Sequence, residues 1–242
     1  RRCSPRAVAR LAEVVRDLFY LWLGFGARKA ASAIRQLAER TGCPVVSTPR
    51  GKGVFPESHP QFWGVTGLGG HDSAAQVVAQ TGARRGLVLG TRLGEFSSFW
   101  DRRMLPPGGL VQVDIDPDRL GAAYAGHVEL IEGDIEALIA DLNERDLPRM
   151  AATPRPLQLL STAAERESVA QRLHAKIRRA SGTRSLHHLG VRPSALFAAV
   201  QRRVVDASDA IVLTEAGNEP AAVATEYTTA GETAAILEAE SD

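Results

Sequence analysis

Two short apolar runs, residues 87–89 (LVL) and 110–115 (LVQVDI), limit what this chain can fold into. Each stops abruptly at small or acidic residues, and the turn Pro106-Pro107-Gly108-Gly109 separates them. Buried parallel strands end this way when their C-terminal edge opens onto a ligand crevice. At the first exit Gly90 lets the backbone turn, and Arg92 brings a cation to the rim. At the second, Asp116 followed by Pro117 reads as a helix start, with a carboxylate to cap free N–H groups and proline at the first helical position. Two such strand tips side by side predict a shelf for a nucleotide-like ligand.

Upstream, the pattern supports a parallel sheet. Residues 6–16 have a helical face formed by Val8, Leu11, Ala12 and Val15. The strand LFYLWL (18–23) follows and ends in Gly24-Phe25-Gly26. A helix over 27–40 places Ala27, Ala30, Ala31, Ile34, Leu37 and Ala38 on the sheet side and its charged residues in water. Gly42 stops it, and 44–48 reads as a second strand. Strand, turn, helix and strand make the unit of an α/β sheet. Gly24-x-Gly26 lacks the rest of a dinucleotide fingerprint, since Lys29 stands at the third glycine position and Thr48-Pro49-Arg50 where an acid is needed. That excludes a classical NAD site, while a helix N-terminus behind glycines still suits a phosphate.

Residues 50–70 read as one long loop, ordered by Phe55, Phe62 and Trp63. Its glycines, among them Gly67, Gly69 and Gly70, either admit a ligand close to the backbone or simply permit tight turns. His71 is a capping or rim residue at the start of a helix over 73–80, with no second metal ligand nearby. A strand over 127–131 and a helix over 135–143, capped by Gly133-Asp134, close the first domain. Beyond it, Pro148, Pro154 and Pro156 mark a linker, and 162–180 reads as a basic helix. A helix over 193–205 and a strand over 210–214 ending in Glu215-Ala216-Gly217-Asn218 begin a second α/β unit. The tail beyond Glu219 has few large apolar groups.

The fold class expected is therefore α/β: a Rossmann-like parallel sheet with helices on both faces, then a linker and a partial second α/β unit. Its boundaries are 1–145, 146–188 and 189–242.

Composition bounds the partners. The net charge of +1 gives no general reason to expect nucleic acid. Residues 145–203 hold twelve Lys/Arg against three Asp/Glu, but with a single Phe (Phe197) and no Trp or Tyr among those arginines they read as a basic linker. The acidic end, 206–242, has nine acids and no base. The run 18–23 is too short to span a membrane. Cys3 and Cys43 have no metal-like spacing, so a reduced, cytoplasmic chain is expected. Because it begins with Arg1, the sequence reads as a fragment.

The order of segments is similar to the thiamine diphosphate (ThDP) dependent enzymes of the acetolactate synthase type. GFGARKAASAIRQLAERTGCPVVSTPRGKGVFPESHP, GVTGLGG, LVLGTRL, VQVDIDP and VELIEGDIEALIADL carry the resemblance to the central domain, over about 18–145. Residues 193–218 resemble the start of the domain that holds the cofactor diphosphate, with Ala216, Gly217 and Asn218 matching its phosphate-contacting turn.

The resemblance implies ThDP, with Mg²⁺ on its diphosphate, in the full-length family. It also implies a 2-oxo acid substrate, decarboxylation or carboligation (lyase or transferase chemistry), and a homo-oligomer. In that chemistry the cofactor ylid attacks the substrate carbonyl, CO₂ leaves, and the carbanion passes to an acceptor. FAD or ADP at the strand ends is implied by several relatives, at Gly24, Gly26, Gly67, Gly69, Gly70, Thr91, Arg92 and Asp116. Gly94-Glu95-Phe96 departs from the family where synthases that bind FAD carry a second arginine, which leaves a purely structural domain as the alternative. The family's catalytic glutamate domain and GDG metal motif have no counterpart here, so the polypeptide alone is expected not to catalyse. A non-catalytic nucleotide-binding or regulatory module that keeps the central fold is the other reading.

Overall fold

The computed structural model describes residues 4–68, 70–116, 118, 120–151, 153, 199–205 and 207–208. Helix α1 (Pro5–Val14) begins with proline in its first turn and buries Val8, Leu11, Ala12 and Val14. Strand β1 (Phe19–Leu23) is buried along its whole length. A 3₁₀ segment, Phe25–Ala30, leads into α2 (Ala31–Thr41), which ends at Gly42 in the left-handed conformation (φ 76°). That is the usual glycine stop, since a side chain there would strain the backbone. The helix expected over 27–40 is thus split, its first turn wound more tightly by the contacts of Gly26 with the neighbouring strand tip.

Strand β2 (Val45–Ser47) follows, and β3 (Phe62–Val65) lies inside the stretch expected to be an irregular loop. Gly64 (φ 126°) and a register shift between Val45 and Val46 hide β3 from a periodicity reading. Next come α3 (Asp72–Ala75) and α4 (Val77–Thr81), two short helices where one was expected, broken at Gln76. Strand β4 (Arg85–Leu89), α5 (Glu95–Ser98), β5 (Leu110–Asp114), β6 (Val128–Glu132) and α6 (Ile135–Asn143) complete the domain. A π-helical turn, Gln201–Val205, falls within the helix expected over 193–205. The basic helix over 162–180 and the strand over 210–214 lie outside the described residues.

All six strands are parallel, in the order β3-β2-β1-β4-β5-β6. Helix α6 packs against both α1 and α2, while α3 packs on β3. Crossovers from β1 to β2 and from β3 to β4 run in opposite directions across the sheet. Right-handed connections therefore put α2 and the α3–α4 pair on opposite faces. The core holds Phe19, Tyr20, Leu21, Trp22, Leu23, Ile34, Leu37, Phe55, Phe62, Trp63 and Leu87, all essentially inaccessible. The Tyr20 hydroxyl is satisfied by the Met104 carbonyl (2.6 Å), and its burial pushes the phenol well above its ordinary pKa.

Candidate functional site

Strands β1 and β4 lie side by side, and their connections leave in opposite directions, one to β2 and the other to β5. Their C-terminal ends make the topological switch point, where open α/β sheets hold ligands. Here the two tips meet backbone to backbone. The Gly24 N–H donates to the Leu89 carbonyl (2.9 Å), the Gly26 N–H to the Gly90 carbonyl (3.0 Å) and the Gly90 N–H to the Val113 carbonyl (3.1 Å). A Cβ on Gly24 would stand 2.5 Å from the Gly90 oxygen, and one on Gly26 would stand 2.8 Å from the Gly90 Cα. Gly90 itself is left-handed (φ 65°). Both requirements admit only glycine.

Thr91 continues from this tip. Its hydroxyl accepts the Leu93 N–H (3.2 Å), and its carbonyl accepts the side-chain amide of Gln112 (2.8 Å). Gln112 sits in the middle of β5, 2% exposed, and its amide oxygen accepts the Gly121 N–H (2.9 Å). It ties the β4 tip to the loop after β5. Sequence reasoning gave it no role; the available signal was a lone polar residue inside the buried run LVQVD. Arg92 is exposed and makes no hydrogen bond or ion pair among the described residues, so it pairs with neither Asp116 nor Glu95.

The glycine turn after β3 also reaches this end of the sheet. The Leu68 N–H donates to the Phe96 carbonyl (2.8 Å), the Thr66 hydroxyl reaches the Ser97 carbonyl (2.8 Å), and the Trp22 indole N–H donates to that hydroxyl (3.0 Å). Gly67 is left-handed (φ 76°), and a Cβ there would lie 2.6 Å from the Ser97 carbonyl carbon. The Gly70 N–H donates to the Gly67 carbonyl (3.0 Å). Gly69 lies outside the described residues, as do Ala216, Gly217 and Asn218. Segment 94–100 thus rests on the Gly67 turn and shows its aromatic side chains to solvent, with Phe96 67%, Phe99 51% and Trp100 50% exposed. Leu93, Phe99 and Trp100 all have positive φ (52°, 47° and 48°), and the buried Ser98 hydroxyl accepts the Trp100 N–H (3.1 Å). Non-glycine residues hold such angles only where surrounding contacts impose them.

Asp116 is half-buried. Its carboxylate accepts the Asp118 N–H (3.1 Å), so it does act as a local cap. The expected helix does not follow, however: none of the described residues between β5 and β6 is α-helical. Gly121, Tyr124 and Gly126 all adopt left-handed angles, which a right-handed helix cannot contain. His71 precedes α3 as expected, without a side-chain capping bond, and its Nδ1 accepts the Val65 N–H (2.9 Å).

A cavity of about 630 Å³ lies at the other end of the sheet, lined by residues that include Phe19, Pro44, His59, Gln61, Trp63 and Met150. The Gln61 amide there donates to the Ala38 and Cys43 carbonyls. Among the described residues no three His, Cys, Asp or Glu side chains gather to hold a metal, and no helix is long and apolar enough to cross a membrane.

Sheet order, switch point and glycine-lined tips define a class. Residues 6–142 match the family described as thiamine pyrophosphate enzyme, central domain, and the chain belongs to it. More particularly, the curated relatives it resembles are acetolactate synthases. It is 35% identical over 143 residues to the acetolactate synthase of Mycobacterium leprae (strain TN), a match covering 57% of this chain and 22% of that protein. It is 30% identical over 135 residues to acetolactate synthase isozyme 1 large subunit of Escherichia coli (strain K12), covering 56% and 23%. The chain thus spans less than a quarter of these relatives' length. The crystal structure of benzoylformate decarboxylase from Polynucleobacter necessarius superposes with a TM-score of 0.64 at 18% identity, covering 96% of this chain and 40% of that one, and supports the fold.

Proposed function

We propose that this chain supplies the central, non-catalytic domain of a ThDP-dependent, acetolactate synthase-like enzyme that decarboxylates or ligates 2-oxo acids. Residues 1–145 form that domain, 146–188 a linker, and 189–242 the start of a diphosphate-binding unit with Ala216, Gly217 and Asn218 at its turn. In such an enzyme ThDP, with Mg²⁺ on its diphosphate, supplies the electron sink for loss of CO₂. The role of the first 145 residues is to hold a rigid parallel sheet whose strand tips are locked by Gly24, Gly26, Gly90 and Gln112.

The observation that carries this reading is the use of the sequence's one Gly-Asp pair, Gly133-Asp134. Asp134 caps α6, its Oδ1 accepting the Ala137 N–H (3.1 Å), so the pair is a helix start and not a metal motif. The 242-residue polypeptide alone is therefore expected to show no turnover of pyruvate or related oxo acids. Assay with and without ThDP and Mg²⁺ tests this, and turnover above a protein-free control that depends on both additions refutes it.

A further inference from the structure

We infer that the strand-end crevice of this domain is sealed by the chain's own backbone and takes neither FAD nor ADP. A nucleotide at the switch point needs two things: backbone N–H groups free to meet its phosphates, and glycines whose missing side chains leave room for it. Neither remains at the glycines of these two tips. The N–H groups of Gly24, Gly26 and Gly90 all donate to carbonyls of neighbouring strand tips, and the Ala27 N–H donates to the Gly24 carbonyl (3.1 Å). The segment behind Gly24 is a six-residue 3₁₀ turn, too short to present a ring of open N–H groups.

Space at the glycines is filled in the same way. The place of a Gly24 or Gly26 side chain is taken by Gly90, and that of a Gly67 side chain by Phe96 and Ser97. The Leu68 N–H, in the middle of the glycine turn, is held by the Phe96 carbonyl (2.8 Å). Segment 94–100 therefore lies on the glycine turn, fastened by Thr66 and Ser98 and with two residues, Phe99 and Trp100, at strained angles. Of the residues expected to meet a nucleotide at the β4 tip, Arg92 keeps an exposed guanidinium that makes no hydrogen bond or ion pair among the described residues. The glycines serve close contact between β-strand tips, and the inference holds whether or not the chain works within a ThDP enzyme.

Two measurements on the full chain test this. Calorimetric titration with FAD and with ADP is expected to show no saturable heat at concentrations up to about 1 mM. Saturable binding of either nucleotide overturns the inference. The second measurement is thermal melting of Gly24→Ala without nucleotide. Gly24 has extended angles (φ −119°, ψ 179°) that alanine adopts freely, so only the missing space against Gly90 and Thr91 is at issue. If that space is filled by the β4 tip, the variant melts about 5 °C lower. A melting temperature equal to that of the parent shows that the space is open, and overturns the inference as well.

Discussion

Gln112→Leu removes a side chain that joins the β4 tip to the loop after β5. Leucine has nearly the same volume, so packing is kept and the hydrogen bonds are isolated. Those lost include the amide donor to the Thr91 carbonyl (2.8 Å) and the acceptor of the Gly121 N–H (2.9 Å). Each is worth about 1 kcal/mol net, and more where the abandoned group is kept from water. Thr91 and Gly121 are only half-buried, so solvent recovers part of the loss. The expected cost is about 2 kcal/mol, a fall in Tm of about 4–8 °C for a domain of this size.

Gln112→Glu sharpens the test. A carboxylate still accepts from Gly121 but has no donor for Thr91, and burial disfavours its charged form. Its folded pKa is raised above the unfolded value, so its stability deficit grows as pH rises from the unfolded pKa through the folded one. Gln112→Glu should therefore melt closer to the parent at pH 5 than at pH 7, whereas the Gln112→Leu deficit stays constant. Thermal melts followed by circular dichroism at both pH values decide. A Gln112→Leu chain that melts within about 1 °C of the parent refutes the bridging role, since the loss of even one such bond exceeds that shift.

Two further predictions concern other parts of the domain. The hydrogen bonds from Arg10 to Glu129 (2.7 and 2.6 Å) tie α1 to β6 and hold the Glu129 carboxyl below its ordinary value of 4.5. The stability this contributes is complete above the unfolded pKa and disappears as pH falls through the lower folded one. Because both side chains are about a third exposed, Glu129→Gln should cost under about 1 kcal/mol at pH 7 and almost nothing in acid. Urea denaturation across that range checks it, and a deficit that persists in acid contradicts it. Burial pushes the Cys43 thiol up to about 12, so iodoacetamide should label Cys43 at pH 8 only as the chain unfolds. Peptide mass spectrometry distinguishes it from Cys3, and prompt labelling of native protein contradicts the buried site.

Local chemistry was legible in the sequence. The Gly42 stop of α2, the Asp134 cap of α6 and the apolar face of α1 each depend on a few neighbouring residues. The tips at Gly24 and Gly90, and their meeting in one sheet, followed from runs of apolar residues that end at glycine. Three things required the tertiary structure. Strand β3 was hidden because it is buried on both faces and carries Gly64, so neither alternation nor propensity marks it. The Asp116 turn leads into no helix, because left-handed residues further along outweigh a good local cap. What the glycines are for also lay beyond the sequence. The string GFG is the same whether a phosphate or another strand tip fills the missing Cβ. Gly24 and Gly90 stand 66 residues apart in the chain but in contact across the sheet. Only the order of the strands brings those two backbones together.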